Sequence, residues 1–283
     1  MSLDPSTVVI RDITPDITTF SIPYSLGPIR AGGRATTVRL PSGNIAVFSP
    51  TPLTPATVEK LASLGNQVAY IIAPNFEHHL NISAWSTQFP TAVVIGVEGL
   101  PEKRDKNDAT RGITFGRVFT AENKRTLSIS PEFDDVFHYE YVEAAKNKEL
   151  VFVHKPSGTL IAADILFNLP ATEQYSLTET DPQRGIVGMA VAKAFNAAEG
   201  MSLTWQKRNL WYVVARKDRA GFGESMKRVL GWQFDRVIPC HGDTIETGGK
   251  KVLEELTSWF VEGKQGKLAA TAELGGYIGE DCL

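Results

Sequence analysis

The chain of 283 residues suffices for one large domain or two small ones, and 42% hydrophobic residues are enough to cover a substantial core. With 29 basic against 32 acidic side chains, the formal charge of -3 removes the electrostatic case for nucleic acid or an anionic membrane as the main partner. A small-molecule substrate or a protein partner remains, and homo-oligomerisation stays open. The two cysteines, Cys240 and Cys282, are too few for a disulfide framework. The first residues lack a basic stretch followed by an apolar one, and no run approaches the roughly eighteen apolar residues of a membrane span. A protein of the reducing cytoplasm is expected.

In chain order, the opening reads as strands at residues 7–13, 17–22, 35–40 and 44–48, the last two joined by Pro41-Ser42-Gly43. The period then changes. Thr54 can cap a helix, Pro55 suits its first turn, Val58, Leu61 and Leu64 supply an apolar stripe, and Gly65 suits the exit. A strand at 68–73, a helix at 82–89 ended by Pro90, and a strand at 92–96 repeat the alternation, which implies a layered α/β fold. Residues 98–126 are charged and lack periodicity, so a mobile connection is expected there, long enough to serve as a lid.

Strands at 136–142, 149–154 and 159–163 begin a second sheet. Helical spacing follows at 185–198, where Ile186, Met189, Val191, Ala194 and Phe195 form a stripe, and 205–214 extends the helical region. A short buried strand at 234–239 runs into Cys240-His241-Gly242-Asp243, and 250–260 forms a last helix with Val252, Leu253, Leu256, Trp259 and Phe260 on its apolar side. Two sheets with helices outside is the economical picture. Neither a composition break nor a repeat divides the chain, so residues 1–283 read as a single domain.

Two of the five histidines are adjacent, in Pro74-Asn75-Phe76-Glu77-His78-His79, directly after an apolar strand. Asp164 follows Leu160-Ile161-Ala162-Ala163, and His241 follows Val237-Ile238-Pro239-Cys240. In layered α/β proteins ligands bind at the carboxyl ends of strands, where loops diverge. Strand ends delivering imidazole and carboxylate suit a divalent ion such as zinc, manganese or iron. Each residue alone has a plainer reading: a lone His after a strand is usually a hydrogen-bonded loop residue, and a lone Asp a helix cap.

Taken in this order, these segments, with Asn44-Ile45-Ala46-Val47-Phe48-Ser49-Pro50 before them, resemble the metallo-β-lactamase superfamily and its divergent DUF4336-type branch. The resemblance covers most of the chain and implies a four-layer αβ/βα sandwich. The superfamily motif His-x-His-x-Asp-His, laid on this chain, puts Pro74 and Phe76 where the first-metal histidines belong, and neither can bind a cation. The third ligand of that metal is also unmatched, although His138, Glu140 and Glu143 lie near its place. The second site is retained: His79 falls on the superfamily His, Asp164 on the bridging Asp and His241 on the last His, while His78 replaces the Asp. The resemblance thus implies a mononuclear site of His78, His79, Asp164 and His241, with one divalent ion, zinc first and iron or manganese as alternatives. Four tight ligands would leave a tetrahedral ion no vacancy, so either the ion expands to five-coordinate or one residue takes an outer role, His78 being the candidate because its position departs from the superfamily.

The implied activity is a metal-dependent hydrolase that opens an ester, lactone, thioester or amide with metal-bound water, Asp164 holding the ion and His78 or Glu77 managing the proton. The alternatives are a degenerate member that binds or regulates without hydrolysis, and a lyase or oxygenase using redox-active iron or manganese. Among the neighbours, Asp243 either orients His241 or caps the next turn, and Cys240 is redox-active or a small buried hydrophobe. Phe76, Phe167, Trp205, Trp211 and Tyr212 line a pocket or belong to the core, and His138 and His154 make structural hydrogen bonds.

Overall fold

A computed structural model describes residues 4–263, so Cys282 lies outside the described residues. The chain begins with β1 (Val9–Asp12), β2 (Ile17–Ile22), a small ribbon of β3 (Ser25–Leu26) and β4 (Ile29–Arg30), β5 (Gly33–Arg39) and β6 (Ile45–Phe48). Helix α1 (Pro55–Ser63) starts as its sequence predicts, with the Thr54 hydroxyl accepting the Thr57 N–H and Pro55 in the first turn. Then come β7 (Val68–Ile72), α2 (Ile82–Gln88), β8 (Val93–Val97), α3 (Leu100–Asp105) and β9 (Arg117–Phe119). Except for the ribbon, these strands form one sheet in the order β1-β2-β5-β6-β7-β8-β9. It is antiparallel up to β6 and parallel from β6 to β9, because helical crossovers replace hairpins there.

The second half holds α4 (Pro131–Val136), β10 (Phe137–Val142), β11 (Glu149–His154), β12 (Thr159–Ala162), α5 (Thr172–Tyr175), α6 (Ile186–Ala194), α7 (Thr204–Asn209), α8 (Arg219–Leu230), β13 (Arg236–Pro239) and α9 (Gly249–Ser258). The second sheet runs β10-β11-β12-β13, with only its last pair parallel. Its inner strands β11 and β12 are buried on both faces. On β11, Phe152 joins the core shared with the first sheet, while Val151 and Val153 face the layer of α8 and α9; Ile161 on β12 and Ile238 on β13 split from their neighbours in the same way. The architecture is the α/β four-layer αβ/βα sandwich.

Two expectations are corrected and one helix is added. Residues 98–126 are not one irregular connection: α3 is anchored by the buried Leu100 and Arg104, and β9 pairs with β8 at the sheet edge. Helix α8, which the sequence pattern does not announce, carries Gly221 and Gly223, which weaken its helical signal. Gly223 is needed because a Cβ there would meet the Phe260 carbonyl oxygen at 2.8 Å. The apolar stripe expected on α6 faces the core only in its second half: Ile186 and Met189 are 82% and 53% exposed, whereas Val191 and Phe195 pack beside the buried Ala192.

Candidate metal centre

The three loops of interest meet at one end of the sandwich, one from the first sheet and two from the second. His78 sits beyond β7, Asp164 beyond β12 and His241 beyond β13, whose parallel pairing with β12 brings the last two side by side. His78 Nε2 lies 3.3 Å and His241 Nε2 3.4 Å from the same oxygen, Asp164 Oδ1. The donor atoms of these three residues lie within 4.8 Å of one another. They line a cavity of about 660 Å³ together with Tyr24, Ser49, Phe167 and Val213.

Each donor is held by its other atoms. His241 Nδ1 donates to the Gly32 carbonyl at 2.6 Å, which fixes the ring with Nε2 aimed at Asp164. Phe167 stacks on the His241 ring at 5.1 Å, nearly parallel. Asp164 Oδ2 accepts from Asn75 Nδ2 at 2.8 Å and Asn147 Nδ2 at 3.0 Å, which turns Oδ1 toward the imidazoles. Asn75 Oδ1 in turn accepts the N–H groups of Glu77 and His78, folding the loop after β7 into an Asx turn. Glu149, at the start of β11, accepts the N–H groups of Ala163 and Asp164 at 2.8 Å each and fixes the loop after β12.

The loop carrying His241 is clamped from beneath. The buried Arg34 guanidinium donates to the carbonyls of Pro239 and Gly242 at 2.6 and 2.7 Å, and Glu173 neutralises it at 3.0 Å. Gln174 donates to the Cys240 carbonyl and accepts the Gly242 N–H. Asn75, Asn147, Glu149, Arg34 and Gln174 are the residues that sequence reasoning missed. Only Glu149 leaves a trace in the sequence, as an acid opening an otherwise apolar strand.

Electrostatics follow from this packing. Burial opposes charge on Asp164, yet His78 and His241 together hold its carboxyl well below the ordinary range. Burial also opposes a charged His78, but the Cys240 sulfur and Asp164 outweigh it and raise the imidazolium well above the usual value. Burial, reinforced by the charge of Asp164, pushes Glu149 up to about 7.

His79 does not join the cluster. Its backbone carbonyl and its Nδ1 both face Arg104 Nη1, the ring nitrogen at 3.1 Å, so that nitrogen's lone pair is used as an acceptor. Burial, with the charges of Lys103 and Arg104, lowers His79 to about 4 and keeps it neutral. The expected roles of the histidine pair are therefore exchanged: His78 faces Asp164 and His241, and His79 braces α3. Adjacent residues on a turn project in different directions, which a motif alignment cannot resolve.

The remaining candidates are placed as follows. Glu77 is exposed on the cavity rim, 3.6 Å from Lys103 Nζ. Asp243 accepts the Glu173 N–H and so caps α5, leaving His241 to Gly32. Cys240 is buried, its Sγ 3.0 Å from Ser49 Oγ. Glu140 is bound by Arg125 and Arg228, Glu143 by Lys124, His138 stacks on Trp232, and His154 bonds Ser157, so none of these four residues supplies a further ligand. Phe76 packs against the core with Lys103 and Lys148 over its ring, Trp205 is 59% exposed, Tyr212 is also exposed, and Trp211 packs on Trp259 and Phe260.

A divalent ion fits the three donors. Two nitrogens each 3.3 or 3.4 Å from one oxygen match the edge of a tetrahedron with bonds of about 2.1 Å, whose edge is about 3.4 Å. Three protein ligands with a fourth position toward a cavity is the arrangement of catalytic sites, whereas structural sites are closed.

A family model described as a domain of unknown function, DUF4336, matches residues 16–212. The chain belongs to the DUF4336 family. No curated protein matches this DUF4336 sequence. Solved structures match its fold. The metallo-β-lactamase FIM-1 from Pseudomonas aeruginosa in its mono-zinc form is 11% identical, with a TM-score of 0.54 over 94% of this chain and 96% of that one. A metallo-β-lactamase from Hirschia baltica is 9% identical, with a TM-score of 0.54 over 89% of this chain and 97% of that one. The metal-soaked Flv1 flavodiiron core from Synechocystis sp. PCC6803 is 11% identical, with a TM-score of 0.56 over 89% of this chain and 60% of that one. At these identities the likeness establishes the metallo-β-lactamase fold of this DUF4336 member and leaves its reaction to the site itself.

Proposed function

We propose that this DUF4336 protein is a metal-dependent hydrolase of a small-molecule ester, lactone, thioester or amide, with a mononuclear site of His78, Asp164 and His241. The observation that carries the reading is the convergence of three braced donors on one wall of the cavity. A divalent ion held there, zinc before iron or manganese, would supply Lewis acidity to polarise a carbonyl and acidify water. Gly32 keeps the proton of His241 on Nδ1, and Asn75 and Asn147 keep Asp164 Oδ1 turned inward. Besides Asp164, the described cavity wall carries one carboxylate, Glu77, and we assign to it the transfer of a proton to or from substrate. The buried, free thiol of Cys240 accords with a reducing compartment such as the cytosol.

A second reading, a binding protein without hydrolysis, is favoured by one feature. Where the superfamily places two first-metal histidines this chain has Pro74 and Phe76, the ring of Phe76 sitting under Lys103 and Lys148. Metal content of the purified protein, measured by inductively coupled plasma mass spectrometry, separates the two. About one ion per chain is expected in wild type and in His79→Ala, and essentially none in His78→Ala, His241→Ala. An ion-free wild type after reconstitution would leave the binding reading ahead, and loss of the ion in His79→Ala would return His79 to the ligand set.

A further inference from the structure

The metal cavity does not end at its own wall. Lys146, Val213 and Val214 belong both to it and to a second cavity of about 540 Å³, lined further by Ala144, Tyr212, Arg216 and Lys217. The exposed Val213 and Tyr212 and the buried Ala144 and Ala145 make much of this second wall apolar. Its charges are unequal in a particular way. Glu143 is bound by Lys124, Asp218 is engaged as the cap of α8 through the Gly221 N–H, and Lys148 is bound by Glu98. Among the described residues, the charged ends of Lys146, Arg216 and Lys217 have no hydrogen-bond or ion-pair partner. Each acid of the compartment has one bonded oxygen, although Glu143 Oε2 is buried without a partner, while three of its cations have no partner.

We propose that Lys146, Arg216 and Lys217 form an anion subsite, and that the substrate carries a phosphate-class group joined to its scissile bond by an apolar stretch. The proposal rests on the hydrolase reading for the scissile bond but not for the subsite itself. Three unneutralised cations suit a group bearing about two charges better than a single carboxylate, and the guanidinium of Arg216 can engage two phosphate oxygens at once. The apolar segment would lie along Val213 and Val214, with the bond to be cleaved at the end nearer His78, Asp164 and His241. Lys146 stands where the two compartments meet and sets the distance between anion and reacting carbonyl.

The test is isothermal titration of the full chain with inorganic phosphate, in wild type, in Lys146→Gln, Arg216→Gln, in Lys227→Gln and in His78→Ala, His241→Ala. The subsite residues are exposed, and Lys227 is a surface lysine on α8, outside both cavities, that controls for the loss of a cation elsewhere on the surface. Phosphate should bind wild type and the histidine variant alike, weaken at least tenfold in Lys146→Gln, Arg216→Gln, and be unaffected in Lys227→Gln. Absence of binding, an equal loss in Lys227→Gln, or loss confined to the histidine variant would overturn the subsite, the last by moving the anion to the metal centre. The substrate claim is read from the ratio of kcat/KM for a phosphate-bearing ester to that for its neutral counterpart. That ratio should fall at least tenfold in Lys146→Gln, Arg216→Gln, and an unchanged ratio overturns the claim. If no ester is turned over but phosphate still binds through Lys146 and Arg216, the hydrolase reading falls and the subsite stands.

Discussion

At the scale of single residues, the centre depends on side chains that never face the cavity. Glu149 takes two strong backbone N–H bonds from the loop carrying Asp164, yet burial and the charge of Asp164 make its ionisation costly. Its folded value of about 7 lies above the ordinary 4.5, so the cost is absent below about pH 4.5 and grows as pH rises toward 7. Glu149→Gln loses part of the N–H network and should destabilise the metal-free protein by about 1–3 kcal/mol at pH 5. At pH 8 the deficit should shrink, because wild type then bears the buried charge. Urea unfolding of both proteins at the two pH values checks this, and a deficit that grows with pH would contradict the sign. Glu77→Gln is the complementary case. With its carboxylate on the rim, the variant should keep its metal and its stability while kcat falls about 100-fold or more, measured on whichever ester the wild type hydrolyses.

At the scale of elements, the decisive feature is how β13 leaves its sheet. The strand pairs in parallel with β12 and then turns at Gly242, whose φ of +88° only glycine adopts without strain. A Cβ at this position would stand 2.0 Å from the Asn168 carbonyl oxygen. Gly242→Ala therefore combines backbone strain with a collision against main chain and should cost about 2–4 kcal/mol, seen as a lower urea midpoint. The same displacement moves His241 away from Gly32 and Asp164, so weaker metal retention at equal metal concentration should accompany the loss. Retention of full metal affinity would show that the turn does not position His241.

At the scale of the molecule, the two sheets are joined by an aromatic cluster. Phe152 of β11 lies 4.8 Å from Phe48 of β6, ring centre to ring centre, and also contacts Phe133 and Phe137. Phe152→Ala should cost about 3–5 kcal/mol by the loss of buried area and the cavity left behind. Because the ring serves both sheets, we expect secondary structure and tryptophan fluorescence to be lost together in urea. Separated transitions would mean that the halves fold independently.

What the sequence determined by itself was the alternation of strand and helix up to residue 97, the strands of the second sheet, and the polar residues at three strand ends. Those features are local: apolar periods, a Thr54-Pro55 helix start and loops that follow buried strands. His78, Asp164 and His241 were legible for that reason, as residues at strand ends within a resembling order of segments. The division of labour between His78 and His79 was decided only by the tertiary structure, because it depends on Arg104 reaching back from α3 to hold the second ring. Glu149, Asn147 and Arg34 lie outside the strand-end loops of the three donor residues, and their roles arise from contacts between segments apart in sequence, along the second sheet for Glu149 and Asn147 and across the two sheets for Arg34. Helix α8 and the regular structure within residues 98–126 were hidden for the opposite reason. Their local signals are weak, and packing against Phe260 and β8, rather than propensity, makes them regular.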